Sequence, residues 1–159
     1  MTFRTVTFCR FGAVAALVVL GAGSYAPGAA SHDVNAQEQA AYRPLQLLLD
    51  GLSQRDEELM RAQLMPGFRA TLMRDKKPLE LDREAFLGRL PKSGKETLLE
   101  KVNDPLVKID DNVAMIWAPY VFYIDGKRHH CGTNVVNVVN VDGRWLISAV
   151  ADTARSNCE

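Results

Sequence analysis

Three observations predict an α+β fold in which N-terminal helices pack on a curved antiparallel sheet. First, from Val113 to Asp152 the chain reads as three long β-rich runs joined by two Asp-Gly pairs, Asp125-Gly126 and Asp142-Gly143. Asp-Gly between β-rich runs signals a tight hairpin, because a type I′ turn needs positive φ at both central residues. Second, Ala41, Leu45, Leu48, Leu49 and Leu52 recur at i, i+4, i+7, i+8 and i+11, one apolar stripe of a helix. Third, the helical patterns come first and the long strands last, with no βαβ alternation, which is the order of an α+β domain.

The 159-residue chain opens on a segment with the parts of a secretory signal. Arg4 and Arg10 supply the positive end, and Phe11 to Ala22 is an uncharged apolar run too short to span a bilayer comfortably. Small-x-small cleavage points follow after Ala30 and after Ala36. The later one is preferred because the helical pattern starts at Gln37. An uncleaved membrane anchor is the alternative. Residues 1–36 are therefore read as a signal peptide and residues 37–159 as one domain. The protein is expected to be exported, periplasmic or secreted, with no stable membrane insertion after cleavage. Removing Arg4, Arg10 and Asp33 leaves 17 basic and 18 acidic residues, and that near-neutral surface argues against a nucleic-acid partner. Cys9 leaves with the signal. Cys131 and Cys158 remain, and an even count in an oxidising compartment points to one disulfide, with two unpaired thiols as the alternative.

Along the domain, Pro44 falls inside the first helical stripe, so the helix starts near it or kinks there. Asp56 is placed to cap a second helix, Glu57 to Leu64, stopped by Pro66-Gly67. Phe68 to Met73 reads as a short strand, and Leu79-Glu80-Leu81 can pair back on it. Asp82 caps a third helix, Arg83 to Leu90, ended by Pro91. Leu98 to Ile109 is a strand broken at Asn103-Asp104-Pro105. Pro119 lies mid-strand, where it cannot donate to a ladder, and reads as a bulge or edge position. A two-residue turn at Asp125-Gly126 sets it opposite Gly132.

One face of the meander is expected to carry aromatic and polar residues together: Trp117, Tyr120, Tyr123, His130, Asn134 and Trp145. That mixture suits a small-molecule cleft better than a plain core. Counting across the Asp142-Gly143 turn pairs Asn134 with Ala151 and Thr133 with Asp152. His130 and Asn134 then share the cavity face with Trp145 and Ile147, and Asp152 lies on the other face with Cys131 unless a bulge resets the register. The remaining alternation, Val135, Val139, Val141, Leu146 and Val150, leaves apolar residues on the outer face, as a homodimer interface would.

The string WAPYVFYIDGKRHHCG…NVV…DGRWLISAVADTAR…C resembles the nuclear-transport-factor-two-like superfamily, and within it the exported bacterial group labelled putative lumazine-binding. The matching positions are Trp117, Pro119-Tyr120, Phe122-Tyr123, Asp125-Gly126-Lys127, His130-Cys131-Gly132, Gly143, Trp145, Ile147, Ala151-Asp152-Thr153 and Cys158. Asn134 stands where the group commonly has Asp, and Ala154 where it commonly has Arg. The resemblance implies a cone-shaped fold with a cavity between helices and sheet. It also implies a superfamily with ketosteroid isomerase-like and polyketide cyclase-like enzymes beside many members of no known catalysis.

The residues permit three readings. The preferred one is an exported protein that binds a small aromatic or heterocyclic molecule through Trp117, Tyr120, Tyr123, His130 and Asn134. An isomerase- or cyclase-type enzyme would use His130 as its acid–base group; Asn134 orients a ligand but takes no proton. A structural dimer module would fill the cavity with its own side chains. An open volume below a few hundred Å³ would exclude a drug-sized ligand. No metal is expected, since His129 and His130 are adjacent on a strand and point to opposite faces. His129, Cys131 and Cys158 could form a zinc set, but a disulfide accounts for the same cysteines. No P-loop or dinucleotide fingerprint is present, so no cofactor is expected.

Overall fold

The computed structural model describes residues 36–158. The expected signal segment and its cleavage points fall on residues 1–36, of which only Ala36 is described. The first helix, α1 (Ala36–Gln54), runs through Pro44 and buries Ala41, Leu45, Leu48 and Leu52, the predicted stripe. None of the described helices is long and apolar enough to cross a membrane. Asp56 caps α2 (Glu57–Arg61) by accepting from the Leu59 amide at 2.9 Å. This helix ends before the expected Leu64, because Leu64 already belongs to the sheet and the Ile147 amide donates to the Gln63 carbonyl just before it at 2.8 Å.

The first strand, β1 (Leu64–Arg74), absorbs Pro66-Gly67 as an irregularity and turns through Asp75 and Lys76 into β2 (Lys77–Asp82). Asp82 then caps α3 (Arg83–Arg89), accepting from the Ala85 amide at 2.8 Å. The segment read as one broken strand is two, β3 (Leu98–Val102) and β4 (Leu106–Asp110), which pair with opposite ends of β5 (Val113–Ile124). Pro119 occupies the gap between their ladders, where β5 asks no hydrogen bond of it, and its carbonyl accepts from the Asn103 amide at 2.8 Å. The strands β6 (Lys127–Val141) and β7 (Arg144–Arg155) complete the meander. Both Asp-Gly turns have the predicted backbone, with φ of 50° and 72° at Asp125-Gly126 and 51° and 83° at Asp142-Gly143.

The sheet runs β2-β1-β7-β6-β5-β3, with β4 beside β5. It is mixed rather than purely antiparallel, because β1 lies parallel to β7. Helices cover its inner face. Phe68, Leu45, Met60, Leu87, Ile116, Ile147, Val136 and Val138 are the large, fully buried side chains between the two layers.

Two bulges set where side chains point. Asn137 pairs with Ala149 and Val138 with Ile147, which leaves Ser148 unmatched; its hydroxyl donates to the Asn137 carbonyl at 3.1 Å. Likewise Phe122 pairs with His130 and Tyr123 with Arg128, which leaves His129 unmatched. Three expectations change as a result. Asp152 pairs with Asn134 and joins the cavity face. Val150 turns inward and is buried, so it leaves the outer apolar face. Opposite Gly132 stands Tyr120, and Pro119 faces Thr133.

Candidate functional site

Between the helices and the inner face of the sheet lies a cavity of about 190 Å³. One end is apolar, walled by Leu45, Leu48, Leu49 and Leu52 from α1 and by Phe86 and Leu90 near α3. At the other end Arg74, Glu100, Tyr120, His130, Asn134 and Asp152 converge. These six come from five different strands, so the fold assembles a site that no stretch of sequence holds.

Glu100 was not foreseen. It sits in β3 between the inward-facing Leu98 and Val102, and the more exposed Leu99 and Lys101 alternate with them. That period-two pattern was the available signal: a carboxylate on the buried face of an amphipathic strand. Asn134 Nδ2 donates to Glu100 Oε1 at 2.7 Å. Asn134, which takes no proton itself, thus holds a carboxylate supplied from β3. Burial pushes the Glu100 carboxyl up to about 7, the Asn134 hydrogen bond opposes that rise, and the nearby charge of Asp152 adds to it.

Asp152 is itself held in a bidentate pair, with Arg74 Nη1 to Oδ1 at 2.7 Å and Nη2 to Oδ2 at 2.9 Å. Tyr120 is buried, and its hydroxyl donates to the Thr153 carbonyl at 3.0 Å. Burial first, then Asp152 and Glu100, raise its pKa. Gly132 permits this placement, because a Cβ there would collide with the Thr153 carbonyl and press on the Tyr120 ring. His130 stacks at 4.9 Å on Phe122 and meets Tyr120 edge-on at 5.7 Å. Burial lowers its pKa, and His129 and Arg74 lower it further, so the imidazole is neutral at neutral pH. The bulge brings His129 and His130 together, Nδ1 to Nδ1 at 2.9 Å, where unbroken alternation would have separated them.

Of the five residues expected to line the site, Tyr120, His130 and Asn134 do so. Trp117 and Tyr123 stand on the odd-numbered, outward side of β5, and Trp117 is 47% exposed. Their selection followed side-chain chemistry, and strand alternation overrules it, since Ala114, Ile116, Ala118 and Tyr120 are the buried set. Cys131 and Cys158 form a disulfide with Cα atoms 5.8 Å apart, within the ordinary range. It pins the chain after β7 beside the His130 end of β6. Among the described residues no group of three His, Cys, Asp or Glu is placed to hold a metal ion.

No family model matches the sequence, and no curated protein matches it. Solved structures do. An NTF2-like protein from Cytophaga hutchinsonii superposes with a TM-score of 0.64 at 15% identity, covering 76% of this chain and all of that one. An NTF-2 like protein of unknown function from Silicibacter pomeroyi gives 0.61 at 12% identity over 75% of this chain and 96% of its own. A protein named putative scytalone dehydratase, from Novosphingobium aromaticivorans, gives 0.62 at 13% identity over 77% and 89%. Such low identities carry the fold and not the activity. With its helices packed on a bulged, unclosed mixed sheet around a cavity, this chain has the nuclear-transport-factor-two-like fold.

Proposed function

We propose that this is an exported binding domain whose cavity takes one compact, largely apolar ring with a polar substituent. The observation that carries the reading is the division of the cavity: leucine and phenylalanine at one end, six convergent polar side chains at the other. The volume sets the ligand size. About 190 Å³ falls short of the roughly 300–1,000 Å³ of drug-sized pockets. It exceeds the roughly 150 Å³ that suffices for benzene. The ligand is then a single ring or a small fused one. The disulfide, together with the Arg-flanked apolar segment at the chain's start, supports export.

The experiment is a two-dimensional amide and side-chain NMR titration with single-ring compounds. Binding should move Glu100, Tyr120, His130 and Asn134 together and leave the Trp117 indole unmoved. Shifts scattered over the outer face, or none from any ring at millimolar concentration, would refute the reading.

A second reading, proton transfer, is favoured by one observation: Glu100, its carboxyl pushed by burial up to about 7, and His130, its imidazole pushed down by burial, line the same cavity. In that case Glu100 is the acid–base group, with His130 its partner instead of the sole actor. A turnover whose pH profile breaks near 7, and that is lost in Glu100→Gln, would establish it.

A further inference from the structure

We infer that the cavity's polar end is built for a cation: its ligand is a small apolar or aromatic amine, or a protonated N-heterocycle, seated with its N–H donors on the carboxylate of Glu100. The inference rests on the small-molecule reading above and names the ligand class for that same cavity.

Among the described residues, each strong donor group at the polar end except histidine already makes at least one hydrogen bond. Arg74 gives Nη1 and Nη2 to the two oxygens of Asp152. Asn134 Nδ2 gives a hydrogen to Glu100 Oε1. The Tyr120 hydroxyl gives its hydrogen to the Thr153 carbonyl. His130 is tied through Nδ1 to His129. Beside them stands an acceptor with no partner. Among the described residues no hydrogen bond reaches Glu100 Oε2, and the Tyr120 oxygen keeps its lone pairs. A ligand rich in donors complements this surface, and a ligand rich in acceptors meets like with like.

Charge points the same way. The charged side chains lining the cavity are Arg74, Glu100 and Asp152, two acids to one base. The base is held bidentately by one of the acids, so an anion entering the cavity finds no available cation and meets the Glu100 carboxylate. A cation finds that carboxylate and aromatic faces beside it, Phe122 and Tyr120, both of which suit an ammonium group. Asn134 on β6 and Asp152 on β7 act on Glu100, Glu100 in turn acts on Tyr42 of α1 and Tyr120 of β5, and Arg74 of β1 pairs with Asp152. Arg74 balances the charge of Asp152, so among the described lining residues Glu100 is the acid left to meet a ligand. Glu100 is raised to about 7 when the cavity is empty, and a bound cation stabilises its ionised form. Binding of an amine is therefore linked to release of the Glu100 proton below that pH.

The test uses three probes of one shape, benzylamine, benzyl alcohol and benzoate, titrated calorimetrically into the oxidised protein at pH 5.5 and pH 8. Alkylamines of this kind stay protonated across the range. Benzylamine should bind about tenfold more tightly than benzyl alcohol at pH 8, the worth of one charge-assisted hydrogen bond. Benzoate should bind most weakly. The benzylamine advantage should shrink at pH 5.5, where Glu100 is protonated, and vanish in Glu100→Gln at either pH. If benzyl alcohol or benzoate matches benzylamine at pH 8, or the advantage survives in Glu100→Gln, the cation site is wrong and the small-molecule reading stands. If none of the three binds at millimolar concentration, both fall.

Discussion

Asn134 of β6 and Glu100 of β3 both line the cavity and are joined by a 2.7 Å hydrogen bond from Nδ2 to Oε1. The two strands are not neighbours; β5 lies between them. The pair places a carboxyl where water is scarce and gives it a single donor, which is too little to keep it an ordinary acid. Most of what the site can do follows from that balance.

Replacing Asn134 with Asp sets a second carboxyl against Glu100 at hydrogen-bonding distance. Two carboxyls there cannot both ionise at low cost, so they should share a proton and titrate as a coupled pair, one step well above the other. A single unshifted step in ¹³C-carboxyl NMR of the variant would contradict this.

Stability should carry the signature of Glu100 as well. Its carboxyl rises from 4.5 to about 7 on folding. Below 4.5 both states hold the proton; between 4.5 and 7 the unfolded chain loses it and the folded protein keeps it. Glu100 thus contributes stability at acid pH that is lost as pH rises through about 7. Glu100→Gln keeps an acceptor for Asn134 and removes the charge. It should raise stability at pH 8 by roughly 1–3 kcal/mol and leave it unchanged at pH 4. Urea melts of both proteins at the two pH values check the sign.

Gly132 is the point of closest approach between β6 and β7 at the site. In Gly132→Ala the new methyl meets the Thr153 carbonyl and the Tyr120 ring. A loss of about 1–3 kcal/mol is expected, together with displacement of Tyr120 from its bond to Thr153. Near-UV circular dichroism alongside the urea midpoint would record both; an unchanged midpoint would show that the strands relax freely.

Reduction of Cys131–Cys158 opens a link spanning 27 residues. In the chain-entropy account that link is worth roughly 3–4 kcal/mol, less any strain relieved. The melting temperature should drop on reduction, and the Cys158→Ser variant should match the reduced protein. Equal melting temperatures with and without reductant would remove the disulfide from the stability account.

The outer face of the sheet carries Leu106, Val113 and Trp117, all about half exposed, with Val135 and Val139 paired to them across the ladders. We propose that a second copy of the chain covers it, as the alternation along β6 anticipates even without Val150. Sedimentation at tens of micromolar should give a dimer that Trp117→Glu dissociates. A monomer mass for the parent protein would refute this.

The elements were largely legible in the sequence because their signals are local: a leucine stripe for α1, aspartate caps for α2 and α3, Asp-Gly for the two long hairpins. The site was legible only in part, because its register is not local. Nothing in the run Leu146 to Val150 announces that Ser148 will step out of the ladder, yet that single extra residue moves Asp152 from the outer face into the cavity. The aromatic character of Trp117 suggests a cavity residue, but its odd position on β5 puts it outside. Glu100 escaped notice because β3 is short and ends at Asn103-Asp104-Pro105, so its alternation spans too few residues to stand out. A mid-strand carboxylate between two inward leucine and valine side chains is nonetheless the kind of local conflict that marks a working site.

The central claim is that the cavity holds a poised carboxyl, and direct titration of that carboxyl tests it most plainly. In ¹³C NMR of protein labelled at glutamate Cδ, one resonance, absent from Glu100→Gln, should titrate with a midpoint near 7. Addition of a bound amine should move that midpoint down. A midpoint for Glu100 in the usual range of glutamate, about 4.3, would contradict the account.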